Sequence, residues 1–226
     1  MNSDEVIRYL KENPNFFEEH AETISKFSIP HPYGGSHIIS ITERQLLSLR
    51  DQNKALESKI QQLIHFGEEN DIRGEKMHRL SVALIVVTTL QSMVQVLNFY
   101  LHEDLAVPHT TIRLWVNPEN WEDHPEFAPV SEELRNLIEG LVQPYCGTVA
   151  DFDSSDALKS EVLALFDQKG WEIRSQALIA LRNSGGSMGV IALGSEEDKR
   201  FYAGMGTLYL ERLGEMISAA VARILR

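Results

Sequence analysis

The chain is almost without cysteine: Cys146 is the only one among 226 residues. A single thiol excludes an intrachain disulfide and a thiolate metal cluster, and this usage suits a reducing cytoplasm. An excess of positive charge is also missing. The 21 lysines and arginines face 33 acidic residues, for a net charge of −12, and both parts are acidic when the chain is divided before Lys76. Neither part offers a general attraction for phosphate backbones or anionic lipid, so no nucleic-acid partner and no membrane partner is expected. Residues 1–12 alternate charged and apolar residues and so lack the continuous apolar core of a secretory leader. Long apolar runs are scarce. One stretch, LSVALIVVTTLQSMVQVLNFYL at residues 80–101, holds no charge, and a membrane span needs about 20 such residues. Serine, threonine, glutamine and asparagine interrupt it. From Gln91 onward its apolar residues fall at helical spacing, so it reads as a buried helix in a core or a dimer interface, ending near His102.

What is present is an apolar fraction of 43%, enough for a packed core. Residues 3–12 read as a short helix with Ser3 as its N-cap, ended by Asn13-Pro14. A second helix follows from Pro14 through Phe27, and IPHPYGGSH at residues 29–37 reads as an extended connector with a tight turn. A long helix should start near Ser40, where Ser40 with Glu43 and Thr42 with Gln45 match the capping-box pattern. Its heptads place Leu46, Asn53 and Ile60 at one seam position and Leu49, Leu56 and Leu63 at the other. An amide inside an apolar seam recovers stability only by meeting a matching amide. Asn53 therefore favours a parallel two-stranded pairing in which it faces its own copy, and a homodimer is expected. Gly67, Asn70 and Gly74 predict a hinge or stutter near GEENDIRG.

Beyond Leu80 the pattern mixes strands and helices. Residues 110–116 alternate as a strand, with Arg113 and Trp115 on one side. Residues 117–129 are rich in proline and acids and read as a loop. A helix capped by Ser131, a short strand in YCGTVADF and a helix ending at Gly170 follow. Residues 175–182 and 187–195 form a hairpin across an Asn-Ser-Gly-Gly turn, and an amphipathic helix closes the chain from about Gly206 to Leu225.

Few residues point to chemistry. His31, His37, His102 and His109 stand in no recognisable metal-ligand spacing, and they read as turn and helix-end residues, so no metal is expected. The glycines of SGGSMG join two strands, so they make a turn and not a phosphate cradle. Cys146 has no histidine near it in sequence. It reads as a small core or pocket residue, with a redox-sensitive thiol and a catalytic thiol as the alternatives. Trp115 and Trp171 line either a cavity or plain core. Arg113 and Arg174 either meet an acidic ligand or are solvated.

Residues 80–226 resemble a GAF domain, a sensory module related to PAS domains, through SMGVIALGS, Arg200-Phe201 and the long closing helix. The whole chain is similar to the domain-of-unknown-function 484 family. Pro14 with Phe16-Phe17, Ile29-Pro30-His31 with Gly34-Gly35, Arg44-Gln45 and Leu49-Arg50 carry that closer match. So do Cys146-Gly147, Ser175 with Ala177, and Gly194-Ser195 through Phe201 to Met205-Gly206-Thr207. The resemblance implies an α+β fold, a GAF/PAS-like antiparallel sheet flanked by helices behind a coiled-coil helix. It brings no activity and no cofactor. An Asn-Lys-x-x-Phe-Asp signature of cyclic-nucleotide binding is missing, and one cysteine cannot run a multi-thiol reductase cycle.

The expected organisation is residues 1–37 as short helices and connector, 38–79 as a coiled-coil helix and 80–226 as the GAF-like domain. The expected function is that of a non-enzymatic, cytoplasmic, dimeric regulatory protein that binds a small molecule. Candidate ligand residues are Arg113, Trp115, Cys146, Trp171 and Ser175. A structural adaptor with a filled core and a small enzyme using Cys146 are the alternatives. No effector domain is expected after Arg226, so a signal is expected to leave through the N-terminal helices or a separate protein partner, with Phe16, Phe17 and IPHPYGG as the surface.

Overall fold

The computed structural model describes residues 2–25, 27–30, 38–116, 124–166 and 172–225. Its contacts divide the chain into two compact units, Met1–Glu69 and Asn70–Arg226.

The first unit opens with helix α1, Ser3–Glu12. Its N-cap is Asn2 and not Ser3, and the Asn2 backbone N–H donates to Glu5 Oε2 at 3.0 Å. Asn13 closes the helix by donating its side-chain amide to the Tyr9 carbonyl at 2.9 Å. The helix predicted from Pro14 is interrupted at His20, giving α2, Phe16–Glu19, and α3, Ala21–Ser25. Phe16 draws the segment together by edge contacts with Tyr9 and Phe17, at centroid distances of 6.1 and 6.2 Å. Ser28–Pro30 (β1) and Ile38–Ser40 (β2) pair antiparallel, a pairing that the connector pattern does not announce. Residues 31–37 lie outside the described residues.

Helix α4 runs from Ile41 to Val86. The helix is continuous through the segment where a hinge or stutter was expected: Gly67, Asn70 and Gly74 are all helical. A glycine weakens a helix by about 1 kcal/mol. The turns that follow are anchored by burial of Met77, Leu80 and Leu84, and helix propagation is cooperative, so the interruption does not form.

In the second unit the charge-free stretch 80–101 is not one helix. Helix α4 stops at Val86, and α5 spans Leu90–Glu103. The run Val86-Val87-Thr88-Thr89 is β-branched throughout, which disfavours helix, and Thr89 starts the new one by accepting from the Ser92 N–H at 3.2 Å. The freed carbonyls at the end of α4 are taken up by one side chain. The Arg223 guanidinium donates to Leu84, Ile85 and Val87 at 2.7, 2.7 and 2.6 Å.

The sheet contains His109–Leu114 (β3), Tyr145–Thr148 (β4), Ser175–Asn183 (β5) and Gly186–Ser195 (β6), all antiparallel in the order β3-β6-β5-β4. The expected hairpin is β5–β6, with Asn183 opposite Gly186, and Gly186 adopts φ +123°. Strand alternation deals the side chains to two layers. Ile112, Ile179 and Ile191 lie in register and join α5, the end of α4 and the closing helix α8, Leu208–Ile224. Leu178, Val190 and Ala192 point the other way, to α6 (Glu132–Gly140) and α7 (Asp156–Ala164). Ser131 and Ser155 cap these two helices by accepting from Leu134 and Leu158. The predicted end of α7 at Gly170 lies outside the described residues. No helix among the described residues is long and apolar enough to cross a membrane.

Arg223→Gln removes the fork that satisfies three carbonyls at the α4 terminus. We expect a loss of about 1.5–3 kcal/mol in denaturant unfolding, with hydrogen exchange rising first around residues 84–90.

Candidate functional site

One groove in the second unit, about 790 Å³, lies between Leu141–Pro144, β5 and α8. Its cation is already consumed: Arg182 donates to the carbonyls of Ile138, Glu139 and Leu141 and pairs with Glu139 at 3.4 Å. A second cavity, about 690 Å³, is better built for a ligand. It opens between the Arg73–Met77 turn of α4, the Asp104–Val107 turn and the Glu197–Leu208 loop that leads into α8. Its floor is apolar, with buried Met77, Leu101, Phe201 and Leu213. Its rim carries Arg73, Lys76, Lys199 and Arg200 against Asp104 and Glu197.

Local structure fixes this rim. After α5 the chain reverses at Ala106, which takes φ +51°, and the Val107 N–H returns to the Leu101 carbonyl at 2.8 Å. Arg200 donates to the Leu105 carbonyl at 2.7 Å, which ties the loop before α8 to the end of α5. Phe201 is buried beneath, and its backbone N–H donates to Ser175 Oγ at 3.3 Å, while Ser175 donates to the Glu197 carbonyl. Tyr209 donates its hydroxyl to Asn70 on α4. Asp104 is held by Arg79 at 3.1 Å. Burial pushes the Arg200 guanidinium below its ordinary pKa; Glu197 opposes this and the like charge of Arg73 adds to it.

The candidate residues named from the sequence do not converge. Ser175 is fully buried and forms the rear support of the crevice loop. Arg113 is partly buried on β3, donating to Thr111 Oγ1 at 3.1 Å and the Ile112 carbonyl at 3.0 Å, beside a separate pocket of about 500 Å³. Trp115 packs against the α6–α7 layer, donates Nε1–H to the Ser187 carbonyl at 2.9 Å, and has the Arg135 guanidinium 5.9 Å from its ring. Cys146 lies on the opposite edge strand and on the opposite face, packed in the α5–α8 layer. Three strand steps of about 4.8 Å separate the strands of Arg113 and Cys146, so they share no site. Burial raises the Cys146 thiol to about 11. Trp171 lies outside the described residues, and Arg174 pairs at the surface with Glu172 at 3.2 Å.

Of the crevice cations only Arg200 figured in the sequence reading, as part of the family match and not as a site residue. Arg73 and Lys76 sit three apart on one helix face, and Lys199-Arg200 form a pair in the loop between β6 and α8. Each is an ordinary surface pattern alone, and the fold is what brings the two pairs together. Among the described residues no group of three or more histidine, cysteine or acidic side chains is arranged to hold a metal. The seam residues Leu46, Leu49, Leu56, Ile60 and Leu63 are 52–68% exposed in the single chain, and Asn53 is exposed with them.

Comparison with known proteins agrees with the expected family. The chain is 24% identical to the uncharacterized protein YigA of Salmonella typhimurium over 226 residues, covering 96% of this chain and 90% of that one. Among solved structures it is similar to the A. aeolicus nlh2 GAF domain in an inactive state, with 15% identity, a TM-score of 0.48, and coverage of 68% of this chain and 97% of that one. It is also similar to the GAF domain of a phosphoenolpyruvate-protein phosphotransferase from Coxiella burnetii, with 10% identity, a TM-score of 0.45, and coverage of 66% and 92%. The family described as "Protein of unknown function, DUF484" matches residues 1–225, and the chain belongs to that family.

Proposed function

We propose that the protein is a non-enzymatic, dimeric regulatory protein whose GAF-like unit binds a small molecule in the Arg73–Arg200 crevice. The crevice is the observation that carries this reading. It has an apolar floor, a few convergent charged groups and a volume within the range of small-molecule sites. The signal passes to a partner through the N-terminal helices, where Phe17 is exposed. Dimerisation rests on the α4 seam: five large apolar side chains repeat at heptad spacing and remain exposed in one chain.

A structural adaptor is the second reading, and one observation favours it. The sheet face under α6 and α7 is filled, with Leu134, Ile138, Val162 and Leu178 fully buried. A metabolite screen by thermal unfolding separates the two. A ligand specific to the native state raises its stability by about 2.7 kcal/mol at a hundredfold excess over Kd. The regulatory reading expects at least one compound whose shift is lost when the crevice is altered, and a flat screen favours the adaptor.

The seam predicts that Leu56→Glu shifts the dimer–monomer midpoint by about a hundredfold or more, because burying an unpaired carboxylate costs several kcal/mol. Sedimentation equilibrium measures it. Asn53→Leu should tighten association and admit higher oligomers. A wild-type monomer at micromolar concentration would remove the dimer.

The third alternative, a thiol enzyme, is disfavoured by the environment of Cys146. The thiol is buried and its pKa is raised to about 11, so the thiolate is scarce at neutral pH. Alkylation of the native protein at pH 8 should be about a hundredfold slower than in denaturant. Because the folded pKa lies above the unfolded one, the Cys146 contribution to stability is intact below about pH 8.5 and is lost as pH rises toward 11.

A further inference from the structure

We infer that a second copy of this chain also covers the exposed apolar face at the end of α4, so that the two copies run parallel and touch at two levels. This rests on the reading above that α4 pairs with its own copy through Leu46–Leu63. It adds an orientation and a second contact.

The face consists of Val82, Ile85 and Val86, which are 47, 69 and 74% exposed. The chain's own core does not cover them. Met77, Leu80 and Leu84 make the core contacts of these turns, and at helical spacing they lie on roughly the opposite side of α4. Beside the face an open groove of about 310 Å³ lies between α4 and α8, with Ile85 on one bank and Met216 and Ala219 on the other. An apolar ridge next to an apolar groove marks an interaction surface. Each copy carries the same ridge and groove, which suits a two-fold contact of the face with itself.

Periodicity identifies the occupant. Ile60, Leu63 and Ile64 are exposed as well, and they repeat the spacing of Val82, Ile85 and Val86. Each residue of the second triplet stands 22 positions beyond its counterpart, which is two repeats of 11. At about 3.67 residues per turn, such repeats return to the same side of a helix. Helix α4 is continuous through the interval. Strict heptads do not keep this face: carried on from Leu63 they reach Met77 and Leu84, which are buried in the chain's own core. A four-residue stutter in the heptad phase locally unwinds a coiled coil and holds the stripe toward the same neighbour. Gly67, Asp71, Gly74 and Glu75 occupy the stripe in between. They offer no apolar side chain, so contact is made at two levels.

Length and orientation follow. Leu46–Leu63 spans fewer than three heptads and contains Asn53, whereas a coiled coil is recognised by about three to four sustained heptads. A second apolar contact supplies what the short seam lacks. Only parallel helices in register set each triplet against its own copy. Antiparallel pairing about Asn53 would set Val82–Val86 beyond the other copy's α4, which begins at Ile41.

The test places single cysteines in the full-length protein. Cys146, the one native thiol, is buried and stays silent. A disulfide needs Cα atoms within about 7 Å. Under copper–phenanthroline oxidation, Leu49→Cys, Leu56→Cys and Leu63→Cys should each link two copies. At least one of Val82→Cys, Ile85→Cys and Val86→Cys should do the same. Ile72→Cys, exposed on another side of α4, should not. The double variant Val82→Lys, Val86→Lys should weaken the dimer about tenfold or more in sedimentation equilibrium. It should keep the near-ultraviolet circular dichroism of the folded chain. Links at Leu49, Leu56 and Leu63 with none at Val82, Ile85 and Val86 overturn the second contact and leave the seam standing. An undiminished dimer in the double variant, or equal linking through Ile72→Cys, overturns it too. A link at Leu56 alone is the antiparallel result and overturns the orientation. Links at neither level, in a chain that sediments as a monomer, overturn both this contact and the seam.

Discussion

The second unit depends on how its helix ends are closed. A helix terminus buried against a sheet leaves carbonyls without partners, and each such group costs on the order of 1–3 kcal/mol. Three arginines meet this demand. Arg223 forks onto Leu84, Ile85 and Val87 where α4 stops, Arg182 onto Ile138, Glu139 and Leu141 where α6 stops, and Arg200 onto Leu105 beyond α5. The planar guanidinium suits the task because one group reaches several acceptors without the loss of donors that a lysine would suffer. With these closures α4 can break, α5 can turn back, and both can lie on one face of the sheet with α8.

The sheet then decides what each face can do. Alternation sends Ile112, Ile179 and Ile191 to the layer that contains α5 and α8, and Leu178 and Val190 to the layer of α6 and α7. Strands β6 and β3 approach closely: a Cβ on Gly189 would stand 2.5 Å from the Arg113 carbonyl oxygen, so glycine is required for β6 to lie against β3. The α6–α7 face is packed shut at its centre, and the room in the molecule is displaced to the seams between elements. The crevice is such a seam, bounded by two turns whose conformations are fixed by Arg200 and by Ser175.

How much of this was legible follows from where the determining contacts lie. The strands β3, β5 and β6, the Ser131-capped helix and the closing helix carried local period and cap signals, and the structure contains each of them. The break at Val87–Thr89 was hidden because an uncharged run without proline reads as continuous helix. Its cause is tertiary: Arg223 lies 136–139 residues away from the carbonyls it binds. Gly67 and Gly74 do not interrupt the helix, since their weak local preference yields to burial of the turns that follow. The site was least legible. Ser175 was named through family resemblance, and its role is to hold Phe201 and Glu197. Arg73, Lys76 and Lys199 were invisible because each looks like an ordinary solvated charge until the fold sets the two pairs on one rim.

Helix α4 contains both the heptad-spaced residues of the proposed seam and one wall of the crevice, and under the proposed function this gives a physical route for regulation. Between Gly67 and Gly74 the helix has weak intrinsic preference, so its order there leans on tertiary contacts such as the hydroxyl of Tyr209 on Asn70. A ligand that bridges Arg73 and Lys76 to the loop of Lys199 and Arg200 binds best when that segment is helical. By linkage it stabilises the helical form to the same extent. No large movement is needed: differential affinity for the ordered and frayed states of one helical segment is sufficient to bias it.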